Sequence, residues 1–259
     1  MFNTIQNKTV LIVGASSGIG RSVARQLSKH NNRLILCARN LAPLETLVNE
    51  MKAHGICAHA IACDATQPQQ VDNAMKQALS LVDSIDIALL NVGQGPSIDM
   101  CNTTTTQVTQ NMTINYHSMV NFLIPLTTLF KQQGYGLVAH TNSLASFLPL
   151  PKQGPYCAAK VACRMLIDCC RLELSQHGLT FVSIYPGFVA TDRVLSDNSD
   201  LPSPFLISQE LAAKHVINAL YKEQSNYVFP FVTSSLVKLA LLMPNAWRNA
   251  ILKRWFYTN

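Results

Sequence analysis

Seven short apolar runs recur along the chain: TVLIVG (9–14), RLILCA (33–38), CAHAIAC (57–63), IDIALLNVG (85–93), GLVAHTN (136–142), LTFVSIYPG (179–187) and NYVFP (226–230). Within them Val, Ile, Leu and Ala follow one another almost continuously instead of alternating with polar residues, which suits strands covered on both faces. Segments of about 12 to 28 residues with helical spacing lie between the runs, long enough for crossover connections over a parallel sheet. The pattern predicts an α/β fold, a doubly wound and mainly parallel seven-stranded sheet with helices on both faces. With 48% hydrophobic and only 13% charged residues in 259, the chain suits one well-buried domain.

Other bulk features remove function classes. The N-terminus MFNTIQNKTVLIVGAS lacks the basic start, apolar stretch and small-residue cleavage site of a signal peptide, so a cytoplasmic location is expected. Eight cysteines are scattered without a C-x-x-C pair, which points to reduced structural thiols and to no metal site. The net charge is +6, but residues 224–259 hold Lys238, Arg248, Lys253 and Arg254 and no acid, leaving +2 for the rest. That asymmetry argues against a nucleic-acid surface and for one basic C-terminal segment. The TTTT patch (103–106) reads as a helix start, with Thr105 or Thr106 as cap for a helix running through Asn115 toward Phe130.

The first apolar run leads into GASSGIGRSVARQL, where Gly14, Gly18 and Gly20 occupy a strand-to-helix turn. A backbone without side chains at a helix N-terminus is a place where a pyrophosphate can approach. The spacing is G-x-x-x-G-x-G, not the commoner G-x-G-x-x-G. At the end of the second run, Cys37 and Arg39 stand where an NAD-preferring site usually carries an acid, and an arginine there can hold a 2′-phosphate. NADP(H) is therefore the expected cofactor over NAD(H). Asp64, after the third run, is a candidate adenine contact and equally an ordinary turn residue.

The segment PYCAAK places Tyr156 and Lys160 four positions apart, on one face of a helix that begins near Pro155. A phenol titrates near 10, and an adjacent ammonium favours phenolate and lowers that value toward the range useful in acid–base exchange. Ser143, thirteen residues earlier in HTNSLAS, offers a hydroxyl able to hold a substrate oxygen beside the phenol.

Together these residues closely resemble the short-chain dehydrogenase/reductase family, in its single-domain branch, over residues 8–231. The resemblance implies a Rossmann-type fold and a tetrad of Asn115, Ser143, Tyr156 and Lys160. In it Tyr156 is the acid/base, Ser143 orients the carbonyl or alcohol, Lys160 binds the nicotinamide ribose and lowers the tyrosine's pKa, and Asn115 positions a water. It also implies cofactor contacts at Gly14, Ser16, Ser17, Gly18, Ile19, Gly20, Arg39, Asp64, Asn91, Gly93, Pro186, Gly187, Val189 and Thr191, besides Tyr156 and Lys160. Departures from the family's usual pattern are Val13 for threonine, Leu90 for the first Asn of Asn-Asn-Ala-Gly, and Ser146 where a glycine often follows the serine. The reaction implied is hydride transfer between NADP(H) and a ketone or secondary alcohol. The alternative is a non-catalytic nucleotide-binding scaffold or sensor with a membrane- or partner-binding C-terminus.

Residues 1–231 are expected to form the catalytic domain, with a substrate loop at 188–207, and residues 232–259 a basic, apolar helical extension of it. Family members with a tetramer interface often end in a short strand and a glycine pair, which this chain lacks, and a homodimer is the expected assembly. The run Leu236–Met243 is too short to span a bilayer, whereas Trp247, Trp255 and Phe256 among basic residues suit peripheral membrane contact through 232–259 or packing over the site. Phe147, Leu148, Leu150, Val194, Leu195, Phe205 and Leu206 make the segments flanking the site apolar, consistent with a lipid, acyl or steroid-like carbonyl substrate or with mutual packing.

Overall fold

The structure is a computed structural model and describes residues 2–191 and 205–257. Strands β1 (Thr9–Val13), β2 (Arg33–Ala38), β3 (Ala58–Ala62), β4 (Ile87–Leu90), β5 (Gly136–Thr141), β6 (Leu179–Pro186) and β7 (Asn226–Phe229) form one sheet in the order β3-β2-β1-β4-β5-β6-β7. Every neighbouring pair is parallel. All seven expected strands are present, and all but β2 are shorter than their apolar runs, so that Gly14, Asn91, Gly93, Asn142 and Gly187 fall just past strand ends. Those ends are where the chain is released from the ladder and ligands meet backbone.

The continuous apolar runs have a simple cause: alternate residues serve two cores. Val10 and Ile12 join Leu34, Leu36, Leu137, Ala139, Val182 and Ile184 on one face. Helices α1 (Gly18–Leu27), α2 (Leu41–Lys52) and α7 (Gln209–Lys222) cover that face through residues such as Val23, Leu27, Leu44, Leu47 and Val216. Leu11, Val13, Ile35, Leu90 and Val138 face the other way. There α3 (Pro68–Leu81), α5 (Ser118–Gln133) and α6 (Gly154–Leu174) contribute Val71, Met75, Phe122, Leu126, Phe130, Cys163 and Ile167. Burial on both sides leaves few polar positions within the strands, among them His140 of β5 and Ser183 of β6.

The helix expected through Asn115 is interrupted. It begins as α4 (Thr105–Met112), widens into a π turn at Thr113–His117, and continues as α5. Its cap is Thr104, one residue before the expected Thr105 or Thr106. The Thr104 hydroxyl accepts from Gln107 N at 3.3 Å while the Gln107 side chain returns to Thr104 N at 2.9 Å. Only Thr104 has a glutamine three residues on, the spacing a capping box needs. After β7 the extension is two helices, α8 (Phe231–Leu242) and α9 (Asn245–Tyr257), separated at Met243–Pro244. No described helix is long and apolar enough to cross a membrane.

Candidate active site

The crevice lies where strand order reverses, between β1 and β4. Gly14 leaves β1 at φ +86°, and its N–H donates to Cys37 O at 2.7 Å. A Cβ there would stand 2.9 Å from the Asn91 carbonyl oxygen, and one on Gly20 would collide with the Gly14 carbonyl. The turn thus fits only because these side chains are missing. Helix α1 opens at Gly18, φ +55°, and the hydroxyl of Ser17, at the cap position, makes no bond to the helix amides. Its first-turn N–H groups are therefore left for a ligand, with Ser16 half-buried and Ser17 exposed beside them and Ile19 packed on the core. A Cβ on Gly18 would approach Thr191 Cγ2 to 3.2 Å, so the segment following β6 closes over the turn. This side-chain-free cradle at a helix N-terminus fits the pyrophosphate of a dinucleotide.

Arg39 is exposed immediately beyond β2, and the following Asn40 caps α2 through Ala42 N at 3.3 Å. Asp64 is less available than its position implied. One of its carboxylate oxygens accepts from Thr66 N at 2.9 Å and Thr66 Oγ1 at 2.8 Å, a turn built on the side chain itself. Asn91 follows β4, its N–H on Val13 O at 2.9 Å and its amide 3.4 Å from Gly14 O.

Asn115, Ser143, Tyr156 and Lys160 converge from three elements. The Tyr156 phenol faces the Ser143 side chain, just past the end of β5, closely enough for Ser143 to pull its pKa down, and Lys160 Nζ lies 5.7 Å from the Tyr156 ring centroid. Lys160 is buried one turn further along α6 and donates to Thr141 O at 2.9 Å. Asn142 links the two elements, its Nδ2 donating to Lys160 O at 3.1 Å while its Oδ1 accepts from Ser143 N at 2.8 Å. A Cβ on Gly93 would meet Asn115 Oδ1 at 2.8 Å and Lys160 Nζ at 3.1 Å, so Gly93 is the gap in which the two groups approach the crevice.

Burial dominates the electrostatics of the Tyr–Lys pair. Tyr156 is pushed up to about 12, chiefly by desolvation of the phenolate, with the Ser143 hydrogen bond pulling down. Lys160 is perturbed in turn. Its own ammonium is the group depressed, first by burial, with Cys163 opposing. The Asn115 side chain is committed to the protein: Oδ1 accepts from Gln94 N at 3.0 Å, and Nδ2 is shared among Gln94 O at 2.8 Å, Asn111 Oδ1 at 2.9 Å and Asn111 O at 3.0 Å. The π turn turns this amide from the helix ladder toward the loop after β4.

Gln94 and Gln153 are site residues that sequence reasoning missed. Buried Gln153 donates to Gly95 O and Pro96 O, each at 3.2 Å, tying that loop to the start of α6. A glutamine directly before a Gly-Pro helix start was the only available signal. Beyond β6, Gly187 N bonds Phe229 O at 2.8 Å, and Val189 pairs with Ile207 in an isolated parallel bridge. Phe147 packs against Tyr185, ring centroids 4.8 Å apart, beneath Arg164 at 4.9 Å, and Leu148 is buried; Leu150 is half-buried. Phe205 and Leu206 are exposed, whereas Val194 and Leu195 lie outside the described residues.

A parallel doubly wound sheet with a phosphate cradle at its switch point, and a Ser–Tyr–Lys group one strand away whose lysine is buried, defines a nicotinamide-dependent oxidoreductase acting on CH–OH or C=O groups. Comparison with known proteins agrees: the short chain dehydrogenase family profile matches residues 8–202, and the chain belongs to that family. An uncharacterized oxidoreductase of Listeria monocytogenes is 30% identical over 73% of this chain and 77% of its own. The crystal structure of a short-chain type dehydrogenase/reductase from Mycobacterium marinum superposes with TM-score 0.78 at 25% identity, covering 87% of this chain and 95% of that one. A Burkholderia phymatum short chain dehydrogenase/reductase, solved in complex with NAD, shares the fold with TM-score 0.82 at 18% identity over 92% and 94% of the two chains.

Proposed function

We propose that the protein is an NADP(H)-dependent oxidoreductase for an apolar ketone or secondary alcohol. The observation that carries the reading is the convergence of Ser143, beyond β5, with Tyr156 and the buried Lys160 one turn further along α6. Residues 14–20 would hold the pyrophosphate, Arg39 the 2′-phosphate, and Asn91, Gly93, Pro186, Gly187, Val189 and Thr191 the remaining face, with Asp64 at the adenine end. When bound, the dinucleotide supplies or accepts hydride at the substrate carbon.

Ser143 and Tyr156 hold the substrate oxygen between two hydroxyls. Because burial keeps the phenol protonated at neutral pH, Tyr156 is poised as the acid of the reductive direction. Its proton goes to the oxygen as the carbon is reduced, and the resulting phenolate is stabilised by the Lys160 ammonium. Lys160, whose proton is loosened by burial, then returns a proton to the tyrosine. Asn115 positions Lys160 by fixing the Gln94 loop against which Gly93 sits. The exposed Phe205 and Leu206, on the described end of the 188–207 loop, support an apolar substrate. The reading includes residues 1–231 as the catalytic domain with 232–259 as its extension. It also includes a homodimer in the cytoplasm, with part of the population at a membrane through 232–259.

The test is NADPH oxidation over ketones of increasing chain length and ring number. Tyr156→Phe is expected to lower turnover by about 10²- to 10⁴-fold with NADPH affinity kept. Arg39→Asp is expected to lower kcat/KM for NADPH by at least about tenfold while sparing NADH, a loss of about 1.4 kcal/mol. Full activity of Tyr156→Phe would refute the catalytic assignment, and an Arg39→Asp variant with unchanged preference would refute the phosphate site.

A further inference from the structure

Helix α8 is inside out. A helix packed on a soluble domain normally turns its apolar stripe inward, yet here Thr233 and Ser234 are the buried residues of α8. Phe231 is 82% exposed and Leu242 84%, and Val232, Leu236, Leu239 and Leu241 are exposed as well. In α9 the exposed Trp247, Ile251 and Trp255 are spaced four apart and line one face, while Arg248, Leu252 and Phe256 are half-buried. The two helices thus present a continuous stretch of chain whose large apolar groups face outward, a pattern that marks an interaction surface.

Charge selects the occupant. From residue 224 to 259 the chain has four basic residues and no acid. A second copy docking on this surface would bring the same cations against it. An anionic bilayer offers both an apolar interior for the aromatic and leucine side chains and negative headgroups for the bases. Position adds a functional link. Helix α8 starts at the site's rim, where Pro230 Cδ and Thr233 Cγ2 lie 3.2 and 3.3 Å from the place of a Cβ on Gly187.

We propose that α8 and α9 dock the protein on anionic membrane surfaces, with Phe231, Leu239, Leu242, Trp247 and Trp255 entering the acyl boundary. Docking turns the rim of the carbonyl site toward the bilayer, so the substrate class is a ketone or secondary alcohol dissolved in lipid. This substrate assignment rests on the oxidoreductase reading above; the docking does not.

Both tryptophans of the chain are on α9, so their emission reports this surface directly. The full chain is mixed with phosphatidylcholine vesicles with and without phosphatidylglycerol, and emission and co-sedimentation are read. The expected result is a blue shift and binding at least about tenfold stronger with phosphatidylglycerol, weakened by salt. Leu239→Ser/Leu242→Ser and, separately, Lys238→Glu/Lys253→Glu should each reduce binding about tenfold or more while NADPH-dependent reduction of a water-soluble ketone is unchanged. Absence of binding by the folded protein, or equal binding to neutral vesicles, overturns the docking. So does a self-associated species that the leucine variant dissolves in the absence of vesicles. Binding without turnover of any ketone overturns the oxidoreductase reading and leaves the docking standing.

Discussion

His140 provides a measurement of how dry the core beneath the site is. It lies on β5, in register with Leu90 of β4 and Ser183 of β6, and is 1% exposed. Neither ring nitrogen has a hydrogen-bond partner, and burial first and the Lys160 charge second hold the imidazole well below its ordinary range. The unfolded chain titrates this group near 6.5. Above that pH both states are neutral and His140 has no effect on the pH slope. As pH falls through 6.5 the unfolded chain takes up a proton that the folded one refuses. Stability then declines by about 1.4 kcal/mol per pH unit until the depressed folded value is reached. Between pH 7 and pH 5 the loss can reach at most roughly 2 kcal/mol, against the roughly 5–15 kcal/mol typical of a domain. The perturbation is His140→Gln, similar in size and without a titration in this range. Urea unfolding of both proteins at pH 5 to 8, with m-values checked for constancy, should give curves that diverge toward acid, the variant losing less. The other histidines are common to both proteins and cancel in the difference. Parallel curves would refute the argument, since they would mean that His140 is protonated in the native state or reaches water.

Gly93→Ala should be damaging out of proportion to its size: the new methyl would press on Asn115 Oδ1 at 2.8 Å and Lys160 Nζ at 3.1 Å. We expect a stability loss of about 1–3 kcal/mol together with a fall in kcat of at least about tenfold, read by thermal unfolding and steady-state kinetics; unchanged kcat would detach Gly93 from the site. Thr104→Ala removes the hydroxyl that accepts from Gln107 N and should cost about 1 kcal/mol, a drop of roughly 2–4 °C in Tm, with kcat unaffected.

The sheet was legible because both of its faces are covered, so each strand announced itself as an unbroken apolar run. Strand ends were less so. Asn91 and Gly187 continue those runs in sequence, and only the ladder shows where pairing stops. The tetrad could be named from spacing and family likeness, since Tyr156 and Lys160 are neighbours on one helix. Their electrostatics could not, because the burial that drives Tyr156 up to about 12 depends on what three other elements pack over it. The π turn at Asn115 left no trace in sequence: one extra residue in a turn does not disturb apolar spacing enough to be seen over five residues. Asp64 stayed open between adenine contact and turn residue, because position alone cannot reveal that Thr66 bonds one of its carboxylate oxygens. The orientation of α8 was likewise hidden, since composition says that Leu and Phe are present but not that Thr233 and Ser234 take the inner side.

The bridge between Val189 and Ile207 has a consequence for the chain that joins them. Ala190 N on Ile207 O at 2.9 Å, Ile207 N on Phe188 O at 3.1 Å and Gln209 Nε2 on Ala190 O at 3.0 Å clasp the two ends of the segment after β6. Because the clasp fixes both exits, the closure entropy of what lies between them grows only slowly with its length. Residues inside the clasp can be lengthened, shortened or exchanged as a cassette while β6, α7 and the reacting hydroxyls keep their places.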